Sequence, residues 1–172
     1  MSHDISKIVD SVVKEVMEKG AVVSKKPAHA PLTKMTLAAA KELIQAVENK
    51  AAEMGVKAVV AVSDAGGNTI AVECMDDAYI ASYDVALNKA FTVVALKMST
   101  IDLKPLAQPG ESLYGIQFTN NGKIVIFGGG VPLYNNKGVI VGGLGVSGGS
   151  EDQDTALASF GGELFTQICK NL

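Results

Sequence analysis

The sequence predicts an α+β fold in which helices pack against an antiparallel sheet, and three observations support this prediction. Apolar residues recur with helical spacing in three long segments, at 36–54, at 80–98 and from 150 onward. Between these segments lie two pairs of β-rich runs, each joined by a short turn rich in glycine or asparagine, as in a β-hairpin. No helical pattern connects the two strands of a pair, so a doubly wound parallel sheet is not expected.

Composition and charge set the broad class of the protein. Of its 172 residues, 48% are hydrophobic and 19% charged, which indicates one folded domain with a short appendage. The net charge of −3, with scattered basic residues, argues against a nucleic-acid partner. The longest apolar run, residues 139–146, is far shorter than the ~20 residues of a membrane helix. Residues 1–20 lack the apolar core of a secretory signal, so we expect reduced cysteines and a cytoplasmic protein.

The first 31 residues form the appendage. Seven apolar residues between Ile5 and Met17 fall on one stripe of a helix, which Gly20 is expected to end. Residues 21–31 contain two prolines and no periodicity, as is typical of a linker. We therefore divide the chain into an amphipathic helix at 1–20, a linker at 21–31 and a domain at 32–172. A helix this short is marginally stable alone, so its stripe should dock on another surface.

Each element of the domain has a local signal. The helix at 36–54 closes at Gly55, and strands at 58–63 and 69–75 are joined across a turn at 64–68. The helix at 80–98 is followed by a capping-box pattern that starts at Ser99 and opens one short helical turn. Strands are predicted at 123–127 and 138–146, across a turn at 135–138. Ser150 caps the last helix, with Gln153 at its third position.

Glycine is concentrated where a ligand would be expected. Twelve of the 18 glycines lie between positions 110 and 149. Gly128, Gly129 and Gly130 follow a predicted strand, and the usual cause of such a run is close approach by a ligand or another backbone. We expect the bare backbone between 127 and 149 to receive a flat ligand. Residues 143–148 match the pattern G-x-G-x-x-G, but no strand follows them, so a dinucleotide site is not assigned.

Two further turns allow a functional and a purely structural interpretation. The turn at 147–150 offers backbone N–H groups to an anion, or is a helix start already complemented by its own acidic residues. The turn at 64–67 is more simply a hairpin turn than a ligand loop. Both histidines, His3 and His29, precede the domain, so no hydrolytic triad can be assembled.

A set of short motifs resembles a known family. The motifs are Asp64-Ala65-Gly66-Gly67, Met75-Asp76, Lys89-Ala90 with Thr92, Gln108-Pro109-Gly110, Leu113-Tyr114-Gly115, residues 121–130 (NGKIVIFGGG), Pro132-Leu133, and Gly145-Val146-Ser147-Gly148-Gly149 with Asp154. Over residue 32 to the C-terminus the chain resembles the GlcG/HbpS family of haem-binding or haem-degrading-domain proteins, which includes the C-terminal domain of PduO. One departure is Thr119-Asn120-Asn121-Gly122, where the family usually shows Ser-Asn-Gly-Gly.

The resemblance implies a fold, an assembly and a ligand class. It implies a profilin-like domain with a five-stranded antiparallel sheet flanked by helices, homo-oligomers, and a pocket lined by glycine loops near a subunit interface. The ligand would be haem or a related tetrapyrrole, or a corrinoid. The candidate ligand-binding residues are Asp64, Gly66, Gly67, Phe127, Gly128, Gly129, Gly130, Pro132, Ser147, Gly148, Gly149 and Asp154. His29 is a candidate axial metal ligand, and Cys74, Met75, Tyr114 and Tyr134 could each reach a haem iron or serve as ordinary core or surface residues.

Alternatives to a binding protein remain open at this stage. One is a structural or assembly protein without a ligand, whose glycines let subunits approach closely. Another is an enzyme that acts on a small metabolite, with Asp64 or Asp154 as acid or base. The helix at 1–20 resembles an encapsulation peptide, which implies a shell or cargo partner and the lumen of a bacterial microcompartment; it could instead pack on its own domain or on a sister subunit.

Overall fold

A computed structural model describes residues 33–170. The helix predicted at 1–20, the linker at 21–31 and His29 lie outside the described residues. The described elements are helix α1 (Leu37–Glu53), strands β1 (Val59–Asp64) and β2 (Thr69–Cys74), helices α2 (Ser82–Leu96) and α3 (Thr100–Leu106), two 3₁₀ turns (Ile116–Phe118 and Asn120–Gly122), strands β3 (Gly130–Tyr134) and β4 (Ile140–Ser147), and helix α4 (Glu151–Lys170).

Side-chain caps fix the starts of three helices. The Thr36 hydroxyl accepts from the Ala39 amide at the start of α1, at 3.2 Å. Ser99 accepts from the Asp102 amide at the start of α3, at 3.1 Å. At α4, Ser150 and Gln153 exchange bonds in both directions, which completes a capping box. The caps predicted at Ser99 and Ser150 are therefore confirmed.

The sheet is antiparallel, with the strand order β2-β1-β4-β3. Val60 lies opposite Val146 in the β1–β4 pair, and Leu133 lies opposite Gly142 in the β3–β4 pair. The fold class is confirmed, but the described residues form four strands instead of the expected five. The predicted turns at 64–68 and 135–138 do join the two hairpins.

The strand predicted at 123–127 is wrong. In that segment the Val125 N–H donates to the Thr92 hydroxyl at 2.9 Å, and the same hydroxyl approaches the Lys123 carbonyl at 3.2 Å. A side chain of α2 thus takes the hydrogen-bonding role that a neighbouring strand would have. Ile124 and Val125 are buried as their apolar pattern suggests, but the strand itself begins at Gly130.

The sheet separates two helical layers. On one face α1 and α4 pack on alternate strand residues, and the main core comprises side chains such as Leu43, Val47, Val60, Leu144, Leu157 and Phe165. On the other face α2 lies directly on β1 and β4, with Ala86 and Ala90 against Val59 and Ala61. Helices α2 and α3 both contact the first turn of α4, through Lys89–Asp154 and Lys104–Glu151 respectively.

Candidate functional site

A glycine loop, defined here as residues 127–130, lies where α2, α3 and α4 meet. The Gly128 N–H donates to Glu151 Oε1 at 2.8 Å, and the Gly130 N–H donates to Thr100 Oγ1 at 2.9 Å. The Gly129 carbonyl accepts from the Val146 N–H at 2.8 Å. Three bonds to three different elements therefore hold the loop in one shape.

A buried ion pair lies beneath this loop. Lys89, on α2, is 0% exposed, and its ammonium donates to the Val146 carbonyl at 2.7 Å and to Asp154 Oδ2 at 2.9 Å. The other Asp154 oxygen, Oδ1, accepts from the Gly149 N–H at 2.9 Å. The pair thus joins α2, β4 and the first turn of α4.

Lys89 is the functional candidate that the sequence prediction missed. It lies in the largely apolar helical run at 80–98 and in a family motif, but neither observation assigns it a role. Its spacing carried a signal, because Lys89 lies three residues after Ala86 and four before Val93, which are both buried on α2. A lysine on the buried face of a helix needs a partner of opposite charge. The helical spacing does not show which acidic residue that partner is.

Burial and charge act in opposite directions on these groups. Desolvation lowers the pKa of Lys89, and the neighbouring charges of Asp154 and Glu151 offset only part of that effect. The pKa of Glu151 is also below its ordinary value, first because its carboxylate accepts from the Gly128 amide and then because it pairs with Lys104. Glu151 therefore links Lys104 of α3 to the Gly128 amide of the glycine loop.

Beside most glycines of residues 127–149, although not beside Gly138, the protein's own atoms fill the space that a side chain would need. A β-carbon at Gly129 would lie 2.5 Å from Lys89 Nζ and 2.7 Å from the Val146 carbonyl oxygen. One at Gly128 would overlap Thr155 Oγ1, and those at Gly143 and Gly145 would overlap carbonyl oxygens of α2. The expectation that this backbone lacks side chains in order to receive a ligand is therefore wrong about the cause. Close packing within the chain already requires glycine at these positions.

The accessible part of the site is apolar. The Phe127 side chain is 42% exposed, and its ring centroid lies 5.0 Å from Lys89 Nζ. Ile101, at the start of α3, is also exposed and packs beside Gly128. Pro132 lies further along, on the edge strand β3, where it lines an open groove of about 490 Å³ with Tyr134 and Gly162.

The structure brings together two of the three predicted ligand segments. Asp154 lies beside Gly129 of the glycine loop, and Ser147, Gly148 and Gly149 follow Val146, whose N–H donates to the Gly129 carbonyl. The turn at 64–67 does not, because Val59 pairs with Ser147 whereas Asp64 pairs with Gly142. Five residues of strand separate these positions, which corresponds to roughly 17 Å.

The carboxylate of Asp64 is used within its own turn. Asp64 Oδ1 accepts from the Gly66 and Asn68 amides at 2.8 and 2.9 Å. Although desolvation acts to raise the pKa of Asp64, the bonds from the Asn68 side chain and these two amides lower it below its ordinary value. Gly67 packs against the Phe91 ring. These contacts favour the hairpin-turn interpretation within one chain.

The turn at 147–150 is likewise satisfied internally. The Ser147 hydroxyl bonds to the Ser82 hydroxyl at 3.1 Å, and Gly148 packs against the Lys57 carbonyl. The amides of Gly149 and Ser150 donate to side chains of α4 itself. The geometry therefore favours a capped helix start over an anion site.

The candidate iron ligands of the domain do not all meet at one place: Cys74 and Met75 line one groove, and Tyr134 lines another. Cys74 and Tyr114 are exposed, Tyr134 lies at the β3 edge, and the Met75 sulfur accepts from the Ala58 amide at 3.3 Å. Over residues 33–170, no three His, Cys, Asp or Glu side chains are arranged to hold a metal ion. In the same part of the chain, no helix has the length and apolar character required to cross a membrane.

Comparison with known proteins gives consistent matches over the domain. A family model described as "Haem degrading protein HbpS-like" matches residues 35–162. A 15.0 kDa protein of the dhaT–dhaS intergenic region of Citrobacter freundii is 48% identical over 134 residues, which are 78% of this chain and 94% of that protein. The corrinoid adenosyltransferase PduO of Salmonella typhimurium is 41% identical over 117 residues, which are 68% of this chain and 34% of PduO. The chain thus corresponds to about a third of PduO.

Two solved structures match closely in shape. The Klebsiella pneumoniae protein ORFY has a TM-score of 0.75 and 43% identity, with 80% of this chain and 94% of that chain covered. A PduOC:Heme complex has a TM-score of 0.72 and 37% identity, with 76% of this chain and 94% of that chain covered.

Proposed function

The chain belongs to the HbpS-like family, and we propose that it is an oligomeric protein that binds haem or a related tetrapyrrole. The observation that carries this proposal is the match to the PduOC:Heme complex, which is 37% identical and of which this domain covers 94%. A structural likeness of this extent supports a similar ligand class. The name of the full-length PduO suggests a corrinoid as a second candidate, but only about a third of PduO is matched.

We propose that the ligand contacts the exposed side of the glycine loop. Phe127 and Ile101 offer apolar side chains to solvent there, and apolar and aromatic side chains line most cofactor sites. Behind them, Gly128–Gly130 and the segment from Ser147 to Asp154 form a fixed support. A tetrapyrrole supplies its own redox chemistry, and the protein would contribute binding and orientation.

Completion of this site requires a second copy of the chain if the turn at 64–67 takes part. Within one chain that turn lies at the far end of β1, away from the glycine loop. A second copy that presents its Asp64–Gly67 turn to the first copy's loop would bring the turn, the glycine loop and the segment from Ser147 to Asp154 to one interface. Large apolar side chains on the surface, among them Ile80 and Phe118, support self-association.

The two alternatives differ in their support. A ligand-free assembly protein is favoured by one observation, namely that the packing within the chain already explains the glycines of the loop. An enzyme with Asp64 or Asp154 as acid or base is less well supported. Asp64 accepts hydrogen bonds within its turn, and Asp154 is held by Lys89 and Gly149.

The proposal is tested by titration of the purified protein with hemin while the Soret band is followed. We expect a saturable shift in the wild-type protein and a weaker affinity in Phe127→Ala. Val139→Ala is the matched control, because Val139 is an exposed apolar residue on the β3–β4 turn, away from the loop. Absence of a saturable shift, together with native mass spectra without a bound species, would favour the ligand-free alternative.

We further propose that residues 1–20 direct the protein to a bacterial microcompartment. The sequence of this segment supports the idea, because one apolar stripe on a short helix suits a groove on a shell or cargo protein. A fluorescent reporter fused to residues 1–31 should form foci in cells that produce a microcompartment. The same fusion with Val12→Lys, which interrupts the stripe, should stay diffuse; diffuse fluorescence of both fusions would refute targeting.

A further inference from the structure

We infer that Lys89 and Asp154 are positioning residues for the Phe127 ring, which presents one face to a flat conjugated ligand. This inference rests on the proposed function and adds to it a role for two side chains that lie behind the ligand surface. Lys89 is fully buried and does not reach solvent, so any effect on the ligand passes through the loop above it.

The geometry at the Lys89 ammonium supports this role. An ammonium has three N–H donors, and two of them are taken by the Val146 carbonyl and by Asp154 Oδ2. The Phe127 ring centroid lies 5.0 Å from the same nitrogen, within the range of a cation–π contact. Gly129 lies so close to the ammonium that a β-carbon there would be 2.5 Å from it.

The backbone around Phe127 is fixed independently. The amides of Gly128 and Gly130 are held by Glu151 and Thr100. The side-chain orientation of Phe127 is therefore the main freedom left at this surface, and a cation behind the ring favours one orientation. Preorganisation of this kind reduces the entropy lost when a ligand stacks on the ring.

A buried ion pair is not by itself a sign of stability, because the cost of removing two charges from water often offsets their attraction. The groups that face the Lys89 ammonium are the Asp154 and Glu151 carboxylates of α4, the Val146 carbonyl of β4 and the Phe127 ring. Lys104 of α3 contacts the same Glu151. Since burial lowers the pKa of Lys89, the ammonium is lost at a pH below the ordinary range of lysine.

The test is a double-mutant cycle on hemin affinity. Phe127→Leu should weaken hemin binding roughly fivefold, because an aromatic face is lost, and Lys89→Met should weaken it by a similar factor. If Lys89 acts through the ring, the double variant should bind no more weakly than Phe127→Leu alone. Independent, multiplying effects would refute the inference. Lys89→Met combined with the remote Val139→Ala is the control pair, and its effects should multiply.

A second measurement needs no change at the buried pair, so it applies even if Lys89→Met does not fold. The ratio of hemin affinities of wild type and Phe127→Leu is measured as the pH rises from neutral to alkaline values. The titration of hemin itself affects both proteins and cancels in the ratio. We expect the ratio to fall as the pH rises and the Lys89 ammonium is lost. A ratio that stays constant up to the pH at which the protein unfolds would refute the inference.

The failure of this inference is distinct from that of the proposed function. A wild-type protein without a saturable hemin shift would refute the proposed function, and the inference would fall with it. A wild-type protein that binds hemin but shows multiplying effects in the cycle, or a ratio independent of pH, would refute the role of Lys89 and leave the proposed function standing.

Discussion

At Gly129 a backbone constraint and a packing constraint act on one residue. Its φ is +112°, which side chains rarely adopt, and a β-carbon there would lie 2.5 Å from Lys89 Nζ. We therefore expect Gly129→Ala to lower the free energy of unfolding by roughly 3 kcal/mol or more. Urea denaturation followed by circular dichroism measures this change.

A substitution at Gly138 measures the cost of the backbone conformation without the cost of close packing. Gly138 also has a positive φ, +72°, but open space surrounds the position of a β-carbon. Gly138→Ala should cost only about 1–2 kcal/mol, the price of the backbone conformation alone. Equal losses in the two variants would show that the packing around Gly129, against Lys89, Val146 and Asp154, contributes nothing.

Residues whose roles are local could be predicted from the sequence, and those whose partners are distant could not. The caps at Ser99 and Ser150 were predicted because their partners lie three residues away. Lys89 and Asp154 are 65 residues apart, and no local pattern reports which acidic residue a buried lysine will meet. For the glycine loop the sequence predicts close approach by a ligand or by another backbone, but it does not show which neighbouring atoms fill the space.

Two adjacent glycines show how helix α4 fits the sheet. A β-carbon at Gly161 would overlap Leu144 Cδ2 and lie 2.9 Å from Val47 Cγ2, both in the main core, whereas one at Gly162 would lie 3.2 Å from Val131 on the edge strand. We expect Gly161→Ala to lower the unfolding free energy by about 1–3 kcal/mol. Gly162→Ala should change it little or raise it, because alanine is favoured in helices by about 1 kcal/mol.

Thermal denaturation of the two variants against wild type measures this contrast. Each is the control for the other, since both add one methyl group to the same turn of the same helix. A larger loss in Gly162→Ala than in Gly161→Ala would contradict the packing of α4 described above.

The start of α4 should make the stability of the protein depend on acid pH. The folded-state pKa of Glu151 lies below its ordinary value, so ionisation of this carboxylate favours the folded state. That contribution is present above the ordinary pKa of 4.5 and is lost as the pH falls through the lowered value. Glu151→Gln keeps an acceptor for the Gly128 amide but removes the charge.

The difference in melting temperature between wild type and Glu151→Gln should therefore be largest near neutral pH and shrink as the pH falls from 5 to 3, by the linkage of protonation to unfolding. Glu163→Gln, on the exposed side of the same helix, is the control. A difference that stays constant over this range would show that the charge of Glu151 does not stabilise the fold.

At the scale of elements, hydrophobic pattern predicted helices better than it predicted strands. Each described helix lies within a predicted segment or beside a predicted cap, because helical hydrogen bonds are local. The segment at 123–127 has the composition of a strand, yet its Val125 N–H donates to the Thr92 hydroxyl of α2 instead of to a neighbouring strand. Whether an apolar run pairs with a strand depends on what lies beside it in space, and its own residues do not contain that information.

For the whole molecule, the fold class followed from the alternation of helices and hairpins, but the grouping of the site did not. The hairpin turn at 64–67 and the glycine loop both carry family motifs, yet β1 separates them by its length. Sequence motifs state which residues matter to a family, and they do not state whether one chain or two supplies them to a common site. Because of this separation, the turn at 64–67 can take part in the proposed site only if a second copy of the chain supplies it.

Exposed apolar side chains on the domain indicate where self-association can be disrupted. Ile80 is 96% exposed and Phe118 is 80% exposed, and burial of apolar surface is the main driving force for association. We expect Ile80→Lys or Phe118→Lys to move the protein to a smaller species in size-exclusion chromatography with light scattering. Ala52→Lys, an exposed residue of α1, is the control. If the charged variants keep the wild-type mass, neither side chain lies in an interface. If the wild type is itself a monomer while it binds hemin, the ligand site is complete within one chain. The turn at 64–67 then has no part in the site.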